Sequence, residues 1–167
     1  KALEFAANNL IADPEVRGML AVAYEGMGDF AEAARVMALG PQDVQTYGIR
    51  ASLLARAEDS ATLEGLYREL SDSQGARPDP AGRMLLGRIA EFLERPAEAV
   101  DWYRGVPGGP LRAEARIRIA AALYEQGQVE QAYSEAHALQ NDAASDDDAR
   151  RNAYLLEGEL RQRGGDP

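Results

Sequence analysis

Ala113-Glu114-Ala115-Arg116-Ile117-Arg118-Ile119-Ala120-Ala121-Ala122-Leu123-Tyr124-Glu125-Gln126-Gly127-Gln128-Val129-Glu130-Gln131-Ala132-Tyr133-Ser134-Glu135-Ala136-His137-Ala138-Leu139 is the stretch on which the fold turns. Ile119, Ala120 and Leu123 share one helical face. Gly127 interrupts, and Val129, Ala132, Tyr133, Ala136 and Leu139 then resume at i, i+3, i+4, i+7 and i+10. Apolar residues at that spacing predict an amphipathic helix, and a glycine between two such runs predicts a turn. The segment reads as helix, tight turn, helix.

The same pattern recurs upstream. Residues 14–40 carry Leu20, Ala21 and Tyr24, then Gly28-Asp29, then Ala33 and Met37. Residues 80–106 carry Leu86-Gly87 and Ala90, then Glu94, then Ala99 and Tyr103. A weaker copy between them has Tyr47, Ala51 and Leu54, then Leu63 and Tyr67. Aligned on the second helix, Ala33, Leu63, Ala99 and Ala132 are separated by 30, 36 and 33 residues. Regular recurrence at that period is the signature of a stacked array of helical hairpins. Small residues at Ala21, Ala51, Gly87 and Ala120, and at Ala33, Ala99 and Ala132, let paired helices cross closely; Leu63 breaks the rule, and we expect its hairpin to be splayed or shifted.

No stretch alternates with period 2, so no strand is expected. The predicted organisation is a single all-α solenoid of about ten helices. Its parts are a half-repeat at 1–12, repeats at 14–41, 43–71, 80–107 and 113–140, and a half-repeat at 147–163. Loops are expected at 71–79, 107–110 and 141–147. Because both ends read as half-units, we expect the chain to be a piece of a longer protein.

Composition narrows the function. Hydrophobic residues make up 46% of the chain, enough to bury a core. Eighteen basic against 28 acidic residues leave a net charge of −10, which repels phosphate backbones and argues against nucleic-acid binding. Lys1 is the one lysine, a bias that fits a GC-rich genome. With no cysteine there is neither disulfide nor thiolate metal site, while the redox compartment stays open. No apolar run reaches the roughly 20 residues that span a bilayer.

Several motifs reduce to structure. Gly26-Met27-Gly28-Asp29-Phe30-Ala31 matches a dinucleotide fingerprint, but that mechanism needs a preceding strand, and here a helix precedes. His137, the one histidine, has no partner set for a metal or a nucleophile. Glu130 with Glu135, or Glu157 with Glu159, could mimic an acid–base pair, yet nothing implies a cleft holding a sugar between them. Asp146-Asp147-Asp148 lacks the spaced ligands of a calcium loop and reads as acid placed at a helix N-terminus. Tyr103 and Trp102 read as packing. No catalytic residue, metal or cofactor is expected.

Leu86-Gly87, Ala99, Tyr103, Gly127 and Ala132 together resemble the tetratricopeptide repeat, over nearly the whole chain. The departures are Arg17, Arg83 and Arg116 at the family's tryptophan position and Ala90 at its tyrosine position, which leave HEAT-like arrays as an alternative. The resemblance implies a right-handed α-solenoid that serves as a protein-binding scaffold, with a concave groove lined by the first helix of each hairpin. More narrowly, the runs 86–91, 99–106 and 116–120 are similar to proteobacterial tetratricopeptide lipoproteins. Those proteins sit in the periplasm on the outer membrane, and the best-known type recruits a carboxyl-terminal processing protease. The alternatives are a subunit of a secretion, pilus or polysaccharide-export machine, and a regulatory arm of an enzyme; a cytoplasmic location is the alternative to the periplasm.

The groove positions implied by the family fall in three rows. They are Gly18, Gly48, Met84, Ile117 and Tyr154; then Val22, Ser52, Arg88, Ala121 and Gly158; then Glu25, Ala55, Glu91, Tyr124 and Arg161. From these, Met84, Arg88, Ile117, Tyr124, Tyr154 and Arg161 are the expected contacts for a protein or peptide partner, since apolar anchors beside arginines make interaction hot spots. The groove has no lysine, and Asn8, Asn9, Asn141 and Asn152 fall outside it, so a clamp for chaperone carboxyl termini is not expected.

Overall fold

The computed structural model describes residues 13–74, 79–141 and 147–164. They form nine helices and no strand: α1 (Pro14–Gly26), α2 (Phe30–Met37), α3 (Val44–Arg56), α4 (Ser60–Gln74), α5 (Pro80–Phe92), α6 (Pro96–Arg104), α7 (Pro110–Glu125), α8 (Val129–Gln140) and α9 (Asp147–Gly164). The half-repeat at 1–12 lies outside the described residues, as do most of the 141–147 loop and positions 75–78. The chain divides into two compact units, Lys1–Ser73 and Gln74–Pro167.

Aspartates start many of the helices. The side chains of Asp13, Asp29, Asp43, Asp59 and Asp79 each accept from a backbone N–H two or three residues on, at 2.6–3.2 Å. They satisfy donors that a first turn leaves without partners. Proline follows at the first helical position of α1, α5, α6 and α7, where its missing N–H costs nothing. Part of the chain's acidity is therefore spent on capping.

Four turns share one geometry. Gly28, Glu58, Glu94 and Gly127 lie at φ +80°, +55°, +58° and +74°. In each case the N–H of that residue donates to the carbonyl three back, and the next N–H donates to the carbonyl five before it, all at 2.8–3.1 Å. This is a Schellman closure, and the residue after it opens the following helix. Ala33, Leu63, Ala99 and Ala132 each stand five residues past the left-handed residue, so the 30, 36 and 33 spacing read from the sequence is the spacing of the turns themselves. Leu63 is 1% exposed, and its hairpin keeps the same turn bonds as the other three. The Gly26–Ala31 run is one of these turns, between two helices.

In the first unit α2 packs on both α1 and α3. α4 is tied to α3 by Tyr47 Oη, which donates to Glu69 at 2.9 Å. The core there is Ala21, Ala33, Ala34, Val36, Ala51, Leu54, Leu63, Leu66 and Leu70. In the second unit each helix packs on the next from α5 to α9, and α7 also touches α5 and α9. α7 thus has contacts with all four other helices of this unit. α7 begins at Pro110, three residues before the predicted start at 113, because Pro110 and Leu111 add a turn ahead of the repeat.

Arg17, Arg83 and Arg116 hold corresponding places in three of the hairpins. Arg17 is 6% exposed, and its guanidinium lies against Gly40, just past the end of α2. Arg83 does the same against Gly105 at the end of α6. A cation laid across a helix C-terminus meets the negative end of its dipole, while the aliphatic stem packs. Arg116 instead reaches Glu135 of α8, Nε to Oε2 3.3 Å.

Candidate protein-binding surface

The six expected contact residues all belong to the second unit, on α5, α7 and α9. Their exposure differs. Met84 is 6% exposed and is part of the core, so it offers a partner almost no surface. Its helix is buried on more than one face, as Met84, Leu85, Leu86, Ile89 and Ala90 all show; an apolar residue's position in a repeat does not say which of two buried sides it takes. Ile117 and Tyr124 on α7 are half-buried, and Tyr154 on α9 is 62% exposed. Leu155 stands beside Tyr154 at 60%.

Arg88 differs from its neighbours. Arg116 and Arg118, on α7, each hold a carboxylate, Glu135 at 3.3 Å and Glu91 at 3.0 Å. Arg88 is similarly half-buried yet has no ion pair or hydrogen bond through its side chain among the described residues. A guanidinium held at a surface without a counter-ion can take an anionic or carbonyl group from outside.

The third groove row is largely satisfied from within. Glu91 is held by Arg118, which also binds Glu114 at 3.2 Å. Burial pushes the Glu91 carboxyl above the usual carboxylate range, and the Arg118 guanidinium pulls against it. In the first unit Glu25 is likewise paired with Arg56, whose guanidinium stacks 4.0 Å from the centre of the Phe30 ring. Both acids sit three residues before a left-handed turn residue, and both tie one hairpin to the first helix of the next.

In the first unit the groove rows fall on Gly18, Gly48, Val22, Ser52, Glu25 and Ala55. Val22 does face solvent at 67%, but so do Met19 at 66% and Met27 at 78%, which the groove rows do not include. Met19 and Val22 on α1 and Met27 just past its end stand at i, i+3 and i+8, a spacing visible in the sequence.

Arg161 turns toward α8. It binds Glu157 at 2.6 Å, and Gln140 Nε2 donates to the same carboxylate at 2.5 Å. These contacts hold the Glu157 carboxyl below its ordinary range, Gln140 contributing most. Glu157 and Arg161 form one wall of a cleft of about 470 Å³ whose other wall is Glu130, Tyr133, Ser134 and His137 of α8. The sequence reading weighed the histidine alone and the glutamates in pairs along one helix, never across α8 and α9. The i, i+3, i+4, i+7 spacing that gathers the α8 residues on one face was the signal available.

At α9 the acidic run takes the role expected of it: Asp147 and Asp148 occupy the first turn and pair with Arg150 and Arg151 at 3.4 and 2.9 Å. Asp146 lies outside the described residues. No described helix is long and apolar enough to cross a membrane. No family model, curated protein or solved structure matches this sequence.

Proposed function

We propose that the chain is a stretch of tetratricopeptide-like α-solenoid that works by holding another protein, without catalysis of its own. The observation that carries this reading is the fourfold Schellman turn at Gly28, Glu58, Glu94 and Gly127. Hairpins built alike leave like faces bare, and stacking is how such units bury them. In the second unit the first helix α7 touches both α5 and α9, which supports a partner surface along these three helices with Arg88, Ile117, Tyr124 and Tyr154 as its contacts. Arg161, bound to Glu157, belongs to the neighbouring cleft.

The narrower reading is an adaptor in the bacterial envelope that brings substrates to a carboxyl-terminal processing protease. Its support is the likeness of runs 86–91, 99–106 and 116–120 to such adaptors. Quantitative co-purification from the source organism tests the general reading. Tyr124→Ala with Tyr154→Ala should deplete a partner that Asp101→Ala, on the outward face of α6, retains; equal recovery would overturn the surface. Adding the purified chain to such a protease tests the narrow one, and unchanged substrate turnover would reject it.

A further inference from the structure

The cleft between α8 and α9 has a use that the α5–α7–α9 surface does not need. Glu130, Tyr133, Ser134 and His137 face it from α8, and none of their side chains makes a hydrogen bond or ion pair among the described residues. The opposite wall is different. Glu157 is fixed by Gln140 and Arg161, and each carboxylate oxygen accepts just one of these bonds. One wall is set, and the other is a row of idle polar groups.

Charge decides what fits. Glu157 and Arg161 cancel, so with His137 counted as neutral the Glu130 carboxylate is the one formal charge of the cleft without a counter-ion among the described residues. An anion would meet that carboxylate; a cation would be drawn to it and to the spare lone pairs of Glu157. Tyr133 supplies an aromatic face one turn from Glu130, the surface on which a flat guanidinium stacks. The net charge of −10 draws a basic partner toward the molecule in the first place. We propose that this cleft receives an arginine side chain of a protein partner, stacked on Tyr133 between Glu130 and Glu157. The proposal rests on the reading that the chain binds a protein, and it adds a subsite for one basic residue of that partner.

The probe is the peptide acetyl-Gly-Arg-Gly-amide, titrated into the isotope-labelled chain by two-dimensional NMR, with the citrulline peptide as a neutral twin of the same shape. The arginine peptide should shift the amides of 130–137 and 157–161, while the citrulline peptide leaves them in place. Glu130→Gln should weaken binding about fivefold, and Asp101→Asn, which removes the same charge elsewhere, should not. Equal shifts from both peptides, shifts spread over the surface, equal weakening by the two variants, or tighter binding of a glutamate twin would each overturn the proposal. Tyr124→Ala with Tyr154→Ala should leave the peptide's shifts intact, so the failure of this subsite and the failure of the wider surface are read separately.

Discussion

The ring of Tyr103 occupies the space that a Cβ on Gly87 would take. Tyr103 is fully buried, so the ring has nowhere to move. α5 and α6 meet at this point, and the missing side chain is what lets an aromatic residue lie between them. The glycine and the tyrosine are a single packing device, 16 residues apart on either side of the Glu94 turn.

Gly87→Ala should therefore destabilise the second unit by about 1–3 kcal/mol through overpacking, and Gly87→Leu by more. Gly65, within α4, is exposed, and a methyl group added there would meet nothing within 4 Å. At that position the same change should stabilise by about 0.5–1 kcal/mol, because alanine restricts the unfolded chain. Urea unfolding midpoints of the two variants should move in opposite directions; shifts of the same sign would mean that the Gly87 contact is not set by the ring.

The Tyr103 hydroxyl meets no partner at hydrogen-bonding geometry among the described residues, although the ion pair of Glu91 and Arg118 lies close enough to act on it electrostatically. Burial, with Glu91 beside it, holds the phenol proton on well above the ordinary tyrosine range. A buried hydroxyl without a partner gives up its hydration for nothing in return. Tyr103→Phe should leave thermal stability unchanged or raise it by up to about 1 kcal/mol. A clear loss in calorimetry would show that the hydroxyl is bridged to Glu91.

Glutamate at Glu58 and Glu94 holds the left-handed conformation that glycine holds at Gly28 and Gly127. A side chain costs roughly 1 kcal/mol there. Glu58→Gly and Glu94→Gly should each stabilise by about 0.5–1 kcal/mol, and Gly127→Ala should cost about 1 kcal/mol. Stability measured variant by variant checks this, and a destabilised Glu94→Gly would contradict the placement of that turn.

These turns also show what sequence can carry. Their spacing was legible because each is fixed by local backbone chemistry, and an alanine five positions later repeats with three of the four, Leu63 standing in its place at the other. The close crossing at Gly87 was legible for a similar reason, since only a missing side chain permits it. Two kinds of feature were not. Whether Met84 faces a partner or the core depends on which neighbours surround α5, and a repeat pattern gives no such information. The arginines at 17 and 83 looked like departures from a tryptophan position; their fit against Gly40 and Gly105 depends on where a second helix ends in space. The α8–α9 cleft needs both walls at once, and they come from segments 20 residues or more apart, as Glu157 and His137 do.

Acid should weaken the first unit through two of its caps. Asp43 accepts from the Thr46 backbone N–H at 2.7 Å, which holds its carboxyl below the ordinary value; Asp59 is lowered first by the Thr62 hydroxyl at 2.6 Å, then by the Thr62 N–H. A carboxyl depressed by folding binds protons more weakly in the native state than in the unfolded one. Its contribution is therefore complete above the unfolded value of about 3.9 and is lost as pH falls through the lower native value. Asparagine caps a helix about as well as aspartate but does not titrate in this range. Urea unfolding between pH 6 and pH 2 should show Asp43→Asn and Asp59→Asn close to the parent at pH 6 and losing less stability than the parent below about pH 4. Parallel curves for parent and variants would mean that these two carboxylates are no better off folded than unfolded, and that acid acts on the first unit through other groups.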